Sequence, residues 1–210
     1  VEVGLPFSDP MIDGPVIQAA ADQALGRGTT AAGVLAQLAR RDFPVPLVAM
    51  TYYNVVDHLG LERFAGLATE AGIGGTILAD LSLEESAPWS EVADEAGIDT
   101  VMLVAPSTPP ARTKQICARS RGFVYAVARM GVTGEQVELG NGAAEVVAKI
   151  REFEAPPVCV GIGVSTPEQA REVGAVADGV IVGSALVRRL LEGEGPEGAA
   201  RFVSSLRAAL

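Results

Sequence analysis

The chain of 210 residues has 49% hydrophobic and 20% charged residues, a balance typical of a globular protein with a substantial core. Its 16 Lys and Arg against 26 Asp and Glu give a net charge of −10, which argues against nucleic-acid binding because an acidic surface repels phosphate backbones. Two cysteines and one histidine are too few for a disulfide scaffold or a structural zinc site. No apolar run approaches the roughly 18 residues of a membrane-spanning helix. We therefore expect a cytoplasmic protein without a nucleic-acid or membrane partner.

Seven short runs of β-branched and apolar residues predict strands, and most intervals between them carry helical periodicity. The predicted strands are Val1–Leu5, Pro46–Thr51, Gly75–Asp80, Thr100–Ala105, Phe123–Ala128, Val158–Val164 and Gly179–Gly183. A helix is expected after Pro15, and a capping box at Ser165–Glu168 predicts the start of another. This alternation predicts an α/β protein with a parallel sheet covered by helices, in one domain over residues 1–210.

The number of strands does not decide whether the sheet closes into a barrel. A doubly wound sheet can stop at seven strands, whereas a closed (β/α)₈ barrel needs eight. Because the chain opens directly in a strand, the simplest barrel interpretation is one that lacks an N-terminal βα unit. Periodicity alone does not decide between the two.

The segment from Val1 to Pro15 is the most informative part of the sequence. Glu2 is a lone carboxylate in an apolar strand, where desolvation raises the pKa toward the range of a general acid or base at neutral pH. The alternative is that Glu2 is solvated at a frayed terminus. Asp9 and Asp13 precede Pro and Gly, a pattern more typical of turns. The pattern leaves both interpretations open.

The run from Glu2 to Pro10, EVGLPFSDP, followed by Asp13-Gly14-Pro15, resembles the signature of the tryptophan synthase α-subunit family. The resemblance continues in order and spacing through Tyr52, Asn54, Asp80, Tyr125, Gly131–Gly134, Gly161–Gly163 and Gly183–Ala185. The first run is highly specific, whereas the glycine motifs are weak signals by themselves.

The resemblance implies a (β/α)₈ TIM barrel, with the first strand and its helices absent from this chain. It implies the retro-aldol cleavage of indole-3-glycerol phosphate to indole and glyceraldehyde 3-phosphate, without a metal or an organic cofactor on this chain. It also implies an α₂β₂ assembly, in which indole passes to a β-subunit that carries pyridoxal phosphate and makes L-tryptophan.

The resemblance further implies roles for individual residues. Glu2 corresponds to the general acid/base, and Asp13 to the carboxylate that accepts the indole N–H. The implied substrate-binding residues are Tyr52, Tyr125, Thr133, Gly134, Gly163, Gly183 and Ser184, with the last four at the phosphate and Thr133 in a mobile lid. The implied partner interface is the loop that carries Pro6, Asp9 and Pro10. For Tyr125 the alternative is an ordinary core tyrosine, and for each glycine a tight turn.

Two other functions remain as alternatives. Another phosphate-binding barrel, indole-glycerol-phosphate synthase, uses a catalytic lysine, but neither Lys114 nor Lys149 lies at the end of a predicted strand. A non-catalytic fragment that only binds a partner would keep the interface loop without a working site.

Overall fold

The computed structural model describes residues 1–128, 142–161 and 163–210. They form two compact units. The first unit consists of Val1–Pro10, Ala21–Met102 and Arg119–Gly122. The second consists of Met11–Ala20, Leu103–Ala118 and the described part of Phe123–Leu210.

Seven strands are present in the described residues, as the sequence predicts. They are β1 (Glu2–Gly4), β2 (Leu47–Thr51), β3 (Ile73–Leu78), β4 (Asp99–Val104), β5 (Val124–Val127), β6 (Val158–Gly161) and β7 (Gly179–Val180). In the first unit β1 pairs with β2, β2 with β3, and β3 with β4, all in parallel. In the second unit β5 pairs with β6 and β6 with β7, again in parallel. The prediction of a parallel sheet is confirmed in each unit.

Helices follow the strands throughout the described residues. They are α1 (Pro15–Gly26), α2 (Ala31–Leu38), α3 (Tyr53–Leu59), α4 (Leu61–Glu70), α5 (Ala87–Ala96), α6 (Pro110–Arg119), α7 (Gly142–Arg151), α8 (Pro167–Gly174), α9 (Ser184–Leu191) and α10 (Gly195–Ala209). The helix expected after Pro15 is confirmed.

The core of the first unit forms where α2, α4 and α5 cover one face of the strands. Leu35 and Phe64 are fully buried there. The rings of Phe64 and Trp89 meet edge to face at 5.5 Å. The Trp89 Nε1–H donates to Thr76 Oγ1 on β3 at 3.2 Å, so the polar end of the buried indole has a partner. This core fixes which face of the neighbouring strands is left for a site.

The core of the second unit lies between its strands and helices. Helix α7 packs on β5 and β6 and buries Val146, Val147 and Ile150. Helix α10 packs against both α8 and α9. The Asp178 carboxylate accepts from the Val158 N–H at 2.8 Å, which fixes the beginning of β6 beside β7.

Several predicted boundaries differ from the structure by one to three residues; for example, β3 ends at Leu78 rather than Asp80, and β7 at Val180 rather than Gly183. Strand β3 begins at Ile73 rather than Gly75, because it starts directly after the turn at Gly72, where φ is +73°. The capping box is formed by Thr166 and Gln169 instead of Ser165 and Glu168. Proline fits the first helical position, whose N–H has no partner within the helix, so the residue before Pro167 becomes the cap.

Candidate functional site

Glu2 lies on the sheet face opposite the core of the first unit. Val3 and Leu5 pack into that core, and side chains alternate along a strand, so Glu2 points to the other face. Its neighbour in register on β2 is Val48, an apolar residue. The Glu2 carboxylate is therefore carried by a strand, next to an apolar side chain, rather than by a loop.

This environment changes the acidity of Glu2. Desolvation raises the pKa of the Glu2 carboxyl group from 4.5 to about 7, and the positively charged amino terminus opposes the rise with a smaller effect. The residue as a whole keeps a partly exposed surface, so the shift reflects the surroundings of its carboxyl group rather than complete enclosure. A carboxyl group of this pKa can both donate and accept a proton near neutral pH.

The carboxyl ends of β1 and β2 are joined by hydrogen bonds and an aromatic contact. The Leu5 N–H donates to the Met50 carbonyl at 2.9 Å, and the Thr51 hydroxyl donates to the Leu5 carbonyl at 3.4 Å. The rings of Phe7 and Tyr52 lie 5.1 Å apart. Tyr52 is buried, and it is therefore held at the end of the strand next to the one that carries Glu2.

The loop after β1 carries the predicted partner residues. Asp9 is exposed, whereas Pro6 and Pro10 are partly buried. The Ser8 hydroxyl donates to the Asp9 carboxylate at 2.7 Å, which orients that carboxylate at the surface. The loop thus presents an oriented negative charge between two prolines.

Asp13 belongs to the second unit and lies two residues before α1. Its carbonyl accepts from the Gln18 side-chain amide at 2.8 Å, and the Gly14 carbonyl accepts from the Gln18 N–H at 3.0 Å. The first turn of α1 therefore fixes the backbone at Asp13. The Asp13 residue is partly buried.

Tyr125 is a buried residue of β5, opposite Cys159 in register on β6. Its ring extends across Gly161 at the end of β6. A Cβ atom on residue 161 would overlap the Tyr125 hydroxyl and lie only 2.5 Å from Cζ. A glycine at 161 is therefore required for this position of the tyrosine.

Gly163 and Gly183 lie at the same edge of the second unit. Val160 and Val180 are partners in parallel strands, and each glycine follows its valine by three residues. Gly163 has φ of +105°, a conformation that favours glycine. Gly183 is the N-cap of α9, and Ser184 is its first residue. The first N–H groups of an α-helix point out of its N-terminal end, so this end of α9 and the Ser184 hydroxyl are suited to an anion.

The predicted site residues thus fall into two described groups. Glu2, Tyr52 and the loop of Pro6, Asp9 and Pro10 belong to the first unit. Asp13, Tyr125, Gly163, Gly183 and Ser184 belong to the second. Thr133 and Gly134 lie outside the described residues.

An open cavity of about 600 Å³ lies in the first unit, and none of the predicted site residues is among the residues that line it. Four carboxylates line it, from Asp57, Asp80, Glu84 and Glu85. Asp80 also accepts from the Tyr53 N–H at 2.8 Å. Such an acidic lining repels a phosphate ester, so this cavity does not suit a phosphorylated substrate.

Within residues 1–128, 142–161 and 163–210, no group of three or more His, Cys, Asp or Glu side chains is arranged to hold a metal ion. None of the helices in those ranges is long and apolar enough to cross a membrane.

The sequence model of the family described as tryptophan synthase alpha chain matches residues 1–207. The chain belongs to the tryptophan synthase α-chain family. A relative from Streptomyces coelicolor with that name is 50% identical over 194 residues, which cover 91% of this chain and 72% of the relative.

Solved structures of the family match the fold as well. The tryptophan synthase structure from Mycobacterium tuberculosis gives a TM-score of 0.91 at 40% identity, covering 99% of this chain and 79% of that one. A tryptophan synthase α-subunit variant from Pyrococcus furiosus gives 0.89 at 35% identity, covering 99% and 85%. The predicted fold class, an α/β TIM barrel, is confirmed.

Membership of the tryptophan synthase α-chain family also decides the class of activity. The chain is a carbon–carbon lyase of tryptophan biosynthesis, and the family reaction is the cleavage of indole-3-glycerol phosphate. The prediction of this activity is confirmed. Membership of this family also rules against the alternative that the chain is an indole-glycerol-phosphate synthase.

Two contacts at the site are not predicted by the sequence. The ring of Phe7 lies against Tyr52, and Gly161 makes room for Tyr125. Phe7 stands within the family signature, which could have drawn attention to it. Gly161 was noted only as part of a glycine motif, and no local signal indicates which side chain it faces.

Proposed function

We propose that Glu2 is the general acid/base of indole-3-glycerol phosphate cleavage in this chain. The observation that carries the proposal is the pKa of about 7 at a carboxyl group on the non-core face of β1. Protonated Glu2 donates its proton to C3 of the indole ring. The resulting carboxylate then takes the proton of the glycerol hydroxyl next to the ring.

The second proton transfer completes the cleavage. As the hydroxyl proton leaves, the oxygen forms a carbonyl, the bond to indole C3 breaks, and its electron pair returns to the ring. The proton delivered to C3 stays on the released indole, and Glu2 regains a proton from the hydroxyl. The products are indole and glyceraldehyde 3-phosphate, with no net consumption of acid or base.

Asp13 is proposed to accept the indole N–H. Protonation at C3 places positive charge on the ring nitrogen, and a carboxylate beside it stabilises that charge more in the transition state than in the substrate. The backbone of Asp13 is fixed by Gln18, which supports a fixed position for the carboxylate.

The proposed phosphate site comprises Gly163, Gly183, Gly134 and Ser184. The N-terminal end of α9 offers N–H groups and the positive end of the helix dipole, and the Ser184 hydroxyl is a further donor. Gly134 has its proposed role from the family resemblance alone.

Three further residues are proposed to bind the substrate or enclose it. Tyr52, held by Phe7, and Tyr125, accommodated by Gly161, line the indole side. Thr133 is proposed as the lid residue whose hydroxyl engages Asp13 when the lid closes.

The proposed partner is a tryptophan synthase β-subunit in an α₂β₂ assembly. The loop of Pro6, Asp9 and Pro10 would contact it, and the oriented Asp9 carboxylate suits a cationic group. No cofactor is proposed on this chain, and pyridoxal phosphate belongs to the β-subunit.

A cytoplasmic location stays a prediction from the sequence.

The proposed reaction is tested by supplying the chain with indole-3-glycerol phosphate and measuring both products. Indole and glyceraldehyde 3-phosphate should appear in equal amounts. The variant Asp13→Asn should release indole far more slowly, whereas Glu62→Gln, which changes an exposed carboxylate of α4, should match the wild type. Equal rates for Asp13→Asn and the wild type would contradict the role of Asp13.

A further inference from the structure

Arg189 connects α9 to α10 in the second unit. Its guanidinium carbon lies 3.7 Å from the centroid of the Phe202 ring, which is buried on α10. Its Nη1–H donates to the Ala185 carbonyl at 2.8 Å. One side chain thus stacks on the neighbouring helix and binds the first turn of its own helix.

The turn that Arg189 binds is the one that carries the proposed phosphate site. Ala185 directly follows Gly183 and Ser184, and its own side chain is buried. Gly183 is exposed, and a Cβ there would contact nothing within 4 Å. The Gly183 carbonyl accepts from the Leu186 and Val187 N–H groups at 3.0 Å, and the buried side chain of Ala185 and its bond to Arg189 add further restraints to this turn.

We propose that Arg189 is a positioning residue for the phosphate-binding end of α9. The inference rests on the proposed phosphate site at Gly183 and Ser184. Arginine suits the task because its planar guanidinium stacks on an aromatic ring while its N–H groups still donate. Hydrogen bonds weaken steeply away from ideal geometry, so a small displacement of this turn weakens the binding of a phosphate group.

The variant Arg189→Met tests the proposal, because methionine keeps an apolar contact with Phe202 but has no donor for Ala185. We expect KM for indole-3-glycerol phosphate to rise roughly 3- to 10-fold, with kcat changed less than about twofold. The inhibition constant of inorganic phosphate should rise by a similar factor. Arg201→Met changes an exposed arginine of α10 and should leave both values unchanged.

Two more variants separate positioning from a general loss of structure. Arg189→Lys keeps a cation and a donor, so its KM should rise less than that of Arg189→Met. In the Phe202→Leu background, Arg189→Met should raise KM by a smaller factor than in the wild type, because the stacking partner is already lost. Thermal melts should remain cooperative for each variant.

The outcomes distinguish this inference from the proposed phosphate site. If Ser184→Ala raises KM and Arg189→Met does not, the positioning role of Arg189 is overturned and the phosphate site stands. If neither substitution changes KM, the phosphate site is wrong and the role of Arg189 falls with it. An equal effect of Arg201→Met would also overturn the inference.

Discussion

The ring of Tyr125 on β5 occupies the space that a side chain on Gly161 of the neighbouring strand would need. A Cβ at 161 would overlap the tyrosine hydroxyl and approach Cζ and Cε1 to 2.5 and 2.7 Å. Both residues are buried. The ring cannot move away without displacing other packed atoms of the second unit, since protein interiors have few voids.

Gly161→Ala should therefore destabilise the protein and reduce indole release. Overpacking of a buried position costs about 1–3 kcal/mol, which urea denaturation can measure. The matched control is Gly66→Ala on α4, where the added Cβ meets nothing within 4 Å. That change should be neutral or stabilising, because alanine favours a helix over glycine.

A second substitution tests the cause of the effect. Replacing the ring in Gly161→Ala/Tyr125→Leu should recover part of the lost stability, because the smaller side chain vacates the contested space. If Gly161→Ala alone unfolds at the same urea concentration as the wild type, the close packing of these two residues is wrong.

The raised pKa of Glu2 predicts a particular dependence of stability on pH. Between about pH 4.5 and about 7 the native state keeps a proton on Glu2 that the unfolded state has released. The unfolded state thus binds fewer protons, and the free energy of unfolding falls as pH rises through this window. The size of the pKa shift corresponds to a contribution of about 3 kcal/mol to the free energy of unfolding. Because Glu2 is partly exposed, the actual contribution should be smaller than this value.

This contribution can be isolated by comparing the wild type with Glu2→Gln, which cannot titrate. The difference in unfolding free energy between the two proteins should change between pH 4.5 and 7 and be constant above about pH 7.5. A difference that is constant over the whole range would mean that Glu2 has an ordinary pKa.

The proposed interface loop predicts a selective effect on the partner. A tryptophan synthase β-subunit should raise the rate of indole release by roughly 5- to 150-fold, the range of typical coupling free energies. Asp9→Ala should weaken β-subunit binding and activation while leaving the activity of the isolated chain unchanged.

Asp22→Ala is the control for that experiment, because it removes an exposed carboxylate from α1. It should bind the β-subunit as the wild type does. Titration with the β-subunit, followed by the rate of indole release, measures both properties. Identical titrations for Asp9→Ala and Asp22→Ala would contradict the proposal that Asp9 contacts the β-subunit.

Much of the fold could be predicted because each strand is a local run of apolar residues. All seven predicted strands are present in the described residues. The beginning of β3 was missed because Gly74 has low strand propensity, although it lies in a strand here. Asp80 was predicted to end that strand, but it lies beyond it and accepts from Tyr53.

The sequence identifies candidate site residues through the family signature in the opening segment, but it does not predict how those residues are packed. The packing of Tyr125 against Gly161 depends on the register of two strands separated by a helix, which no local pattern indicates. The stacking of Arg189 on Phe202 depends likewise on how α9 meets α10. Contacts between distant segments arise from packing, and one sequence alone does not specify them.

The role of Glu2 as the general acid/base is tested most directly by the rate of indole release in Glu2→Gln. Glutamine keeps the size of the side chain but exchanges no proton near neutral pH. We predict that kcat falls by at least about 10²-fold with KM within a few-fold of the wild type, the loss typical of general acid–base catalysis. A Glu2→Gln protein that retains more than about a tenth of the wild-type kcat would contradict this role.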